Sequence, residues 1–390
     1  MTRKTILLLA FALTISLSAA AQNKRAWIPY EEFFAVRDTV SIVLVGDVMM
    51  HGPQFRDAHR QYAATHAKAN PDNPNHYDFS TFFKYLEGRI SNADLAIANM
   101  EFPLAGTPYS GYPAFSAPDS YPDYVVSCGF DVLLTANNHI LDRGSAGLRR
   151  TIRVYDNIES ETHVVYTGVS KSASDDEARY PVIVTVKGVR IAIVNFTYGT
   201  NSGGDSAWPK VNLMRKDDVA KAIARAKEQE ADVIIAIPHW GVEYQHRHNA
   251  IQGEFARWMA RQGVDAVIGH HPHVVQDFEV IPVEQQDGSV KEVPVLYSLG
   301  NAVSNQNDLP ARLEGLAELR IATKGREVHV LPDPSVTFLW CTKPGMVEKS
   351  YSVLPVKEFL DKKDSWCNKE DYDNMVATYK SVKAKTGIED

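Results

Sequence analysis

The sequence predicts an α/β sandwich, because apolar strands alternate with amphipathic helices and most of the strands end in polar residues. Residues 41–45 and 231–237 are almost entirely apolar, which is typical of strands that are buried on both faces. Residues 79–90 instead repeat their apolar side chains with helical spacing. No repeat period or low-complexity block interrupts this alternation. We therefore expect one domain over residues 39–335, with residues 336–390 as a C-terminal extension.

The predicted strands that concern function are followed by side chains that can bind metals or exchange protons. In chain order, Asp47 follows the strand at 41–45, and Asn99 and Glu101 follow the strand at 94–98. Asn138, His139 and Asp142 follow 131–135, and His239, Trp240 and Glu243 follow 231–237. His271, His273 and Gln276 follow 264–268, and Asn301 follows 293–299. Helices are predicted between them at 79–90, 123–127, 144–157, 217–229 and 252–262. Because α/β folds place their sites at carboxyl strand ends, we expect these residues to lie together.

The composition limits the classes of partner and ligand. The chain has 390 residues, with 48 Asp and Glu against 41 Lys and Arg, which gives a net charge of −7. This balance argues against nucleic acid and anionic membrane surfaces as main partners. A polyanionic substrate would have to meet local positive charge, for which bound metal ions are the simplest source. Of the three cysteines, Cys341 and Cys367 are candidates for a disulfide that bridges the C-terminal segment.

The N-terminus has the pattern of a signal peptide over residues 1–21. Arg3 and Lys4 precede an apolar stretch at residues 6–17, and three alanines at 19–21 offer a cleavage site. The alternative is a membrane anchor, but this apolar stretch is shorter than the ~20 residues that a span requires. We therefore expect an exported protein, periplasmic or extracellular, without a stable membrane span.

The most informative pattern is Gly269-His270-His271-Pro272-His273, which follows an apolar strand. His271 and His273 are two residues apart, so extended backbone would direct both rings to one side, and Pro272 favours that geometry. Two neutral imidazoles on one rigid edge suit a metal ion, and Gly269 lets the backbone come close. The alternative is a polar loop that happens to be rich in histidine. The matching ligands at other strand ends favour the metal site.

The donor groups at these strand ends are carboxylates, amides and imidazoles, without a thiolate. Such mixed oxygen and nitrogen ligands suit Mn, Fe, Co or Zn rather than a structural zinc site. Four to six such ligands exceed the needs of one ion, and two ions about 3.5–4 Å apart can activate a water and hold an oxyanion. Each residue taken alone has an ordinary alternative, such as Asp47 in a turn or His239 as a core histidine stacked on Trp240. The prediction rests on their conjunction.

Six motifs occur in order between residues 41 and 305. They are Gly46-Asp47-Val48-Met49-Met50, Asn99-Met100-Glu101-Phe102-Pro103-Leu104, Asn137-Asn138-His139 with Asp142, His239-Trp240-Gly241 with Glu243, His271-Pro272-His273 with Gln276, and Leu299-Gly300-Asn301. Together they resemble the CapA family of poly-γ-glutamate capsule biosynthesis, which is similar in fold to calcineurin-like metallophosphoesterases. The resemblance implies a β-sandwich flanked by helices, in four layers ordered α-β-β-α.

The resemblance also implies a role for each matching residue. The implied metal ligands are Asp47, Glu101, Asn138, His239, His271 and His273. His139 is implied to assist the leaving group, and Asp142 is close enough in the first helical turn to orient its ring. Met49 departs from the pattern, because it stands where a second metal-binding histidine is expected; His51 is the nearest replacement. The candidate substrate-binding residues, for which core packing is the alternative, are Asn99, Trp240, Glu243, Gln276 and Asn301.

Two functions fit these observations. The first is a hydrolase of the metallophosphoesterase type that uses divalent metal ions, one or two of them, and acts on an anionic envelope polymer or a phosphoester. The second is a non-catalytic protein that holds an acidic polymer for capsule assembly or export, together with other capsule-assembly proteins. The nearly complete ligand set favours metal binding, and it does not separate turnover from binding alone.

Overall fold

The computed structural model describes residues 38–203, 207–324 and 327–390, and the predicted signal peptide lies outside them. The strands are β1 (Asp38–Val48), β2 (Leu95–Met100), β3 (Val132–Leu134), β4 (Val165–Thr167), β5 (Val169–Ser170), β6 (Val182–Val186), β7 (Val189–Thr197), β8 (Lys210–Val211), β9 (Val233–His239), β10 (Ala266–Ile268), β11 (Phe278–Glu284), β12 (Val290–Leu296), β13 (Asn301–Val303), β14 (Leu313–Lys324), β15 (Glu327–Val330), β16 (Ser335–Thr342) and β17 (Ser352–Pro355). The helices are α1 (Gly52–Ala63), α2 (Glu87–Ser91), α3 (Ser120–Ser127), α4 (Gly144–Glu161), α5 (Ala173–Arg179), α6 (Lys216–Glu228), α7 (Ala250–Gln262), α8 (Val356–Phe359) and α9 (Lys369–Thr386).

Two large sheets carry the fold. Among the described residues, sheet A has nine strands in the order β17-β16-β14-β1-β2-β3-β4, with β13 paired to β1 and β15 paired to β14. Sheet B has six strands in the order β11-β12-β10-β9-β7-β6. Strands β1 to β4 are parallel in sheet A, as are β7, β9, β10 and β12 in sheet B. Each sheet therefore has a group of carboxyl strand ends, where α/β folds place their sites.

The two sheets pack face to face around a shared apolar core. Alternation along β1 shows why: Ile42 and Leu44 point into this inner core, whereas Val43 and Val45 point to the outer face of sheet A. From sheet B, β7 and β9 contribute side chains such as Ile193 to the same inner core. This packing joins both sheets into one body.

Helices cover the outer face of each sheet. Helices α1, α3 and α4 pack on sheet A, and the buried face of α4 includes Leu148, Ile152 and Tyr155. Helices α6 and α7 pack on sheet B through residues such as Ile223 and Met259. The predicted four-layer α-β-β-α sandwich is therefore confirmed.

The segment after residue 335, which the sequence predicts to be a C-terminal extension, contributes two strands to sheet A. Strand β16 pairs with β14, and β17 pairs with β16. Helix α9 packs on the inner core and is held by an ion pair between Asp371 and the buried Arg312, at 2.7 Å. Trp340 donates its ring N–H to Asp371 at 3.1 Å. Removing one partner of such a buried pair typically costs about 3–5 kcal/mol, so this segment completes the domain.

The cysteines of the described chain are all free. Cys341 is buried in sheet A and Cys367 is exposed near the start of α9, so the disulfide considered between them is absent from the structure. In the part of the chain that the structure describes, no helix has both the length and the apolar composition that crossing a membrane requires.

Candidate metal centre

The carboxyl ends of parallel strands from both sheets meet at one edge of the sandwich. Sheet A supplies Asp47 near the end of β1, Glu101 directly after β2 and Asn138 after β3. Sheet B supplies His239 as the last residue of β9, and His271 and His273 follow β10. All six predicted metal ligands are buried, and their side chains form one cluster between the sheets.

Two glycines allow the strand ends to approach closely. A Cβ atom on Gly46 would overlap the backbone of Gly300, to whose carbonyl oxygen Asp47 donates its N–H at 2.9 Å. A Cβ atom on Gly269 would overlap the carbonyl oxygen of Tyr297 and the ring nitrogen of Trp240. The sequence expectation that Gly269 permits close backbone approach is thus met. Larger residues at either position would push the ligand-bearing loops apart.

The backbone that carries the histidine pair is not extended, which corrects the sequence prediction. His271 and His273 have φ angles of 99° and 58°, in the left-handed region that residues other than glycine rarely adopt. Both rings still face the cluster, with their centroids 6.0 Å apart. Residues held in this region concentrate at functional sites, where the surrounding structure maintains the strain.

Asp47 lies at the centre of the polar contacts. Its Oδ1 accepts an N–H from the Asn99 side chain at 2.7 Å, and its Oδ2 accepts the backbone N–H of His271 at 3.1 Å. His273 Nδ1 lies 3.5 Å from Oδ2, and His239 Nδ1 lies 3.8 Å from Oδ1. Asn99, predicted to bind substrate, thus orients this carboxylate.

Glu101 shows most clearly that the cluster fits a cation. Its side chain is fully buried, yet both carboxylate oxygens lack a hydrogen-bond partner among the described residues. His271 Nδ1 and Asn99 Oδ1 are buried and unpartnered in the same way. Buried polar atoms are nearly always paired, so several orphans in one place need an explanation. A metal ion would satisfy these atoms.

The ligand atoms of the cluster also have the spacing that a metal requires. Glu101, His271 and His273 form one group whose ligand atoms lie within 4.8 Å of one another, and Asp47, Glu101 and His239 form a second. His239 Nε2 lies 2.8 Å from Asn138 Oδ1 and 3.6 Å from Glu101 Oε1. The two groups share Glu101, so this carboxylate is the residue that can bridge two ions.

The pKa shifts in the metal-free cluster differ from residue to residue: burial is outweighed by the hydrogen bond and charge of Asp47, which raise the pKa of His273, whereas two other histidines are held neutral. Burial, together with the charge of Asp47, holds the pKa of Glu101 well above its usual range. Burial opposes ionisation of Asp47 as well, but its hydrogen bond with His273 and the neighbouring histidines outweigh this and hold its pKa far below normal. Burial lowers the pKa of His271 to about 3 and that of His239 well below normal, so both rings are neutral at pH 7. Neutral imidazole is the form that binds metals.

A second pair of residues lies beside the ligands and has the geometry of a proton donor. The Nδ1–H of His139 donates to Asp142 Oδ2 at 2.7 Å, and Asp142 also accepts the backbone N–H of Phe115 at 2.9 Å. This contact fixes the ring and leaves Nε2 as the atom that can exchange a proton. His139 follows Asn138 directly, and its side chain is nearly buried.

Most of the residues predicted to bind substrate serve other purposes. Trp240 is fully buried and donates its ring N–H to the carbonyl oxygen of Tyr297 at 3.0 Å, so it belongs to the core. Gln276 is also fully buried, and it accepts an N–H from Gln252 at 2.9 Å. Their roles as substrate contacts remain predictions, and the contacts that the structure shows are with the protein's own core.

Asn301 and Glu243 complete the set of predicted substrate-binding residues. Asn301 is fully buried, and its Oδ1 lies 2.9 Å from His273 Nδ1, so it positions that ligand and does not reach a substrate. Glu243 is exposed beside the site and remains the one predicted substrate contact that a bound molecule could reach.

The structure adds Tyr198 and Asn201, which the sequence reasoning missed. The Tyr198 ring packs against His271, with 4.6 Å between centroids. Asn201 Nδ2 lies 3.3 Å from His139 Nδ1, and its backbone N–H donates to the Asn138 carbonyl oxygen at 2.8 Å. Both residues follow β7, so the rule of polar residues after parallel strands would have found them.

The region around Met49 does not supply the additional histidine. Met49 is buried in the outer core of sheet A. His51 precedes α1, and its backbone N–H donates to the Gln54 side chain at 2.8 Å while its Nδ1 lies 3.1 Å from the same oxygen. Among the described residues His51 belongs to neither group of metal ligands, so it caps a helix rather than replacing the missing ligand.

Two curated proteins are similar in sequence to this chain. Capsule biosynthesis protein CapA of Bacillus anthracis is 27% identical over 333 residues, which cover 81% of this chain and 74% of that protein. PGA biosynthesis protein CapA of Bacillus subtilis is 28% identical over 296 residues, which cover 74% of this chain and 69% of that protein.

Solved structures and a family model were compared as well. The calcineurin-like phosphoesterase YfkN from Bacillus subtilis is 15% identical, with a TM-score of 0.44, and the match covers 88% of this chain and 97% of that chain. A putative 5′-nucleotidase from Staphylococcus aureus is 14% identical, with a TM-score of 0.46 and coverage of 88% and 58%. The family model of the bacterial capsule synthesis protein PGA_cap matches residues 41–306, a range that contains every predicted ligand. The chain belongs to this bacterial capsule synthesis family.

Proposed function

We propose that this chain is an exported, divalent-metal-dependent hydrolase that cleaves bonds in an anionic envelope polymer, of the poly-γ-glutamate type, during capsule synthesis or processing. The observation that supports it most is the unpartnered, fully buried Glu101 carboxylate beside an oriented His139–Asp142 pair. The membership in a capsule synthesis family supports the class of polymer. The predicted signal peptide supports a periplasmic or extracellular location.

The residues divide into two groups with different chemistry. Asp47, Glu101, Asn138, His239, His271 and His273 would hold the metal. Divalent cations supply Lewis-acid polarisation of the reacting group and activation of a water molecule. The Nε2 of His139 protonates the leaving group, because Asp142 holds its other nitrogen in the N–H form. Asn201 limits the movement of the His139 ring from the other side.

One observation favours the alternative, a non-catalytic protein that holds an acidic polymer. Met49 is buried and offers no hard ligand where the family resemblance leads us to expect a histidine. A site with one ligand fewer would bind one metal position more weakly. In that case the cluster would contribute positive charge for binding an anion rather than a reaction.

The test is turnover by metal-loaded protein with phosphoesters, γ-glutamyl polymers and cell-wall fragments as substrates. We expect hydrolysis of one class, and we expect His139→Ala to lower kcat by roughly 10²–10⁴-fold while the metal content is unchanged. If the wild type hydrolyses none of them yet binds an acidic polymer, and His139→Ala binds it equally well, the non-catalytic alternative replaces the hydrolase.

A further inference from the structure

A large cleft lies next to the metal centre and has no part in the chemistry described above. It encloses about 870 Å³ between the loop after β7, strand β8 and the first turns of α6. Its lining mixes apolar side chains, including Leu213 and Met214, with charged ones. Ligand sites in proteins commonly have this volume.

The cleft and the metal centre share a wall. Tyr198 lines the cleft and packs its ring against His271. Thr200 lines the cleft, while the next residue, Asn201, contacts His139 on the side of the metal centre. Leu141, in the turn that carries the His139–Asp142 pair, also borders the cleft. The cleft therefore lies directly against the residues that border the metal centre.

The charge inside the cleft is opposite in sign to that of the whole protein. Lys210, Arg215 and Lys221 line it, are exposed, and have no ion-pair partner among the residues that the structure describes. Lys210 lies 4.9 Å above the ring of Trp208, which fixes its position. Within the described part of the chain, Asp218 is the carboxylate that lines the cleft without an ion pair of its own.

The remaining charged side chains of the cleft neutralise each other. Arg225 forms an ion pair with Asp176 at 3.0 Å and also donates to the carbonyl oxygen of Tyr180. Among the described residues, three cations against one free carboxylate therefore leave an excess of positive charge in the cleft, in a protein whose net charge is −7. This excess is local and unexplained by the fold.

We propose that this cleft binds the polycarboxylate chain on one side of the bond that is cleaved. Lys210 stands on β8, Arg215 directly before α6 and Lys221 within α6. Apolar residues lie among them, and such a surface matches a chain that carries one carboxylate per repeat, with methylene groups and an amide between successive carboxylates. A phosphate polymer would instead favour clustered arginines, and Arg215 is the one arginine among the three described cations that line the cleft without an ion pair. The proposal rests on the proposed function, because it names the part of the site that selects the substrate.

The experiment compares two charge-matched variants in calorimetric titrations. Lys210→Ser/Arg215→Ser/Lys221→Ser removes the cations of the cleft. Lys68→Ser/Arg261→Ser/Lys380→Ser, as the control, removes three exposed cations that do not line the cleft and have no described ion pair. The probes are a short γ-linked glutamate oligomer, its neutral methyl ester and inorganic polyphosphate. Each protein is titrated as purified and after treatment with a chelator, which prevents turnover.

We expect the oligomer to bind wild type and control equally and the cleft variant about tenfold more weakly, because each exposed charge contributes a factor of roughly 1.5 to 5. The difference should persist after chelation and shrink at high salt. Equal affinity of both triple variants, equal binding of the methyl ester, or tighter cleft-dependent binding of polyphosphate would overturn the proposal. Binding with this pattern but without hydrolysis by metal-loaded wild type would contradict only the hydrolase function.

Discussion

Replacing Glu101 by glutamine should stabilise the metal-free protein and abolish its stabilisation by divalent cations. The carboxylate is fully buried, both of its oxygens lack a hydrogen-bond partner among the described residues, and Asp47 adds a like charge nearby. Glutamine has nearly the same shape and removes the charge. The variant therefore measures two effects separately: how much the carboxylate lowers the stability of the metal-free protein, and how much it raises the stability of the metal-bound protein.

The magnitude follows from the burial of the group. A buried polar group without a partner costs about 1–3 kcal/mol, and a charged one costs more. Glutamine keeps a neutral polar group at this site and removes only the excess cost of the charge, for which we expect a rise of a few degrees in Tm. The effect depends on pH, because the folded pKa of Glu101 is raised above its ordinary value of 4.5. The stability of metal-free wild type therefore falls as pH rises from 4.5 toward the raised pKa, whereas the variant lacks this loss. The advantage of the variant should be larger at pH 8 than at pH 5.

The assay is thermal unfolding with and without Mn²⁺ or Zn²⁺. A cation at a hundredfold excess over its Kd stabilises the folded wild type by about 2.7 kcal/mol, and Glu101→Gln should lose most of this increment. Glu314→Gln is the matched control, since Glu314 is equally buried and unpartnered but belongs to neither group of metal ligands in the described structure. If Glu101→Gln keeps the full increment, or if Glu314→Gln loses it as well, the assignment of Glu101 as a ligand is wrong.

Three further predictions test other parts of the site and fold. Asp142→Asn should lower kcat roughly 10–100-fold and alter the pH–rate profile with little change in KM, because Asp142 orients His139 and belongs to neither group of metal ligands. An unchanged pH–rate profile would contradict this role. Gly269→Ala should lower the free energy of unfolding by about 1–3 kcal/mol, as measured by urea denaturation, since the added methyl group would overlap the backbone of Tyr297. Unchanged stability would contradict the close approach of the two loops. A thiol reagent should label Cys367 in the native protein and Cys341 only after unfolding, and mass-spectrometric detection of a disulfide between them would refute this.

The rule that polar residues follow parallel strands predicted the ligand cluster correctly in space. Asp47, Glu101, His239, His271 and His273 come from strands far apart in sequence, yet their side chains meet, because the carboxyl ends of both parallel groups lie at one edge. Their roles as ligands remain predictions. The rule does not predict the position of the side chain that comes directly after a ligand in the sequence, because successive side chains of a strand point to opposite faces. His239 therefore faces the site while Trp240 enters the core.

Other features depend on contacts that no local pattern reveals. The left-handed backbone at His271 and His273 is imposed by the surrounding loops, whereas spacing and Pro272 suggested extended geometry. Strand β16 pairs with β14 and β17 pairs with β16, so the predicted C-terminal extension shares sheet A, which the alternation of strands and helices did not indicate. The cleft beside the metal centre is likewise assembled from separate elements, and its three cations are ordinary surface residues when taken in sequence.

The most direct test of the metal centre is the metal content of purified, tag-free protein after dialysis against a divalent cation, measured by elemental analysis. We predict that wild type retains at least an equimolar amount and that His271→Ala/His273→Ala retains none, with an unchanged circular dichroism spectrum. His66→Ala/His163→Ala, which removes two exposed histidines, should retain the wild-type amount. Equal metal content in all three proteins, or none in wild type, would contradict the existence of this site.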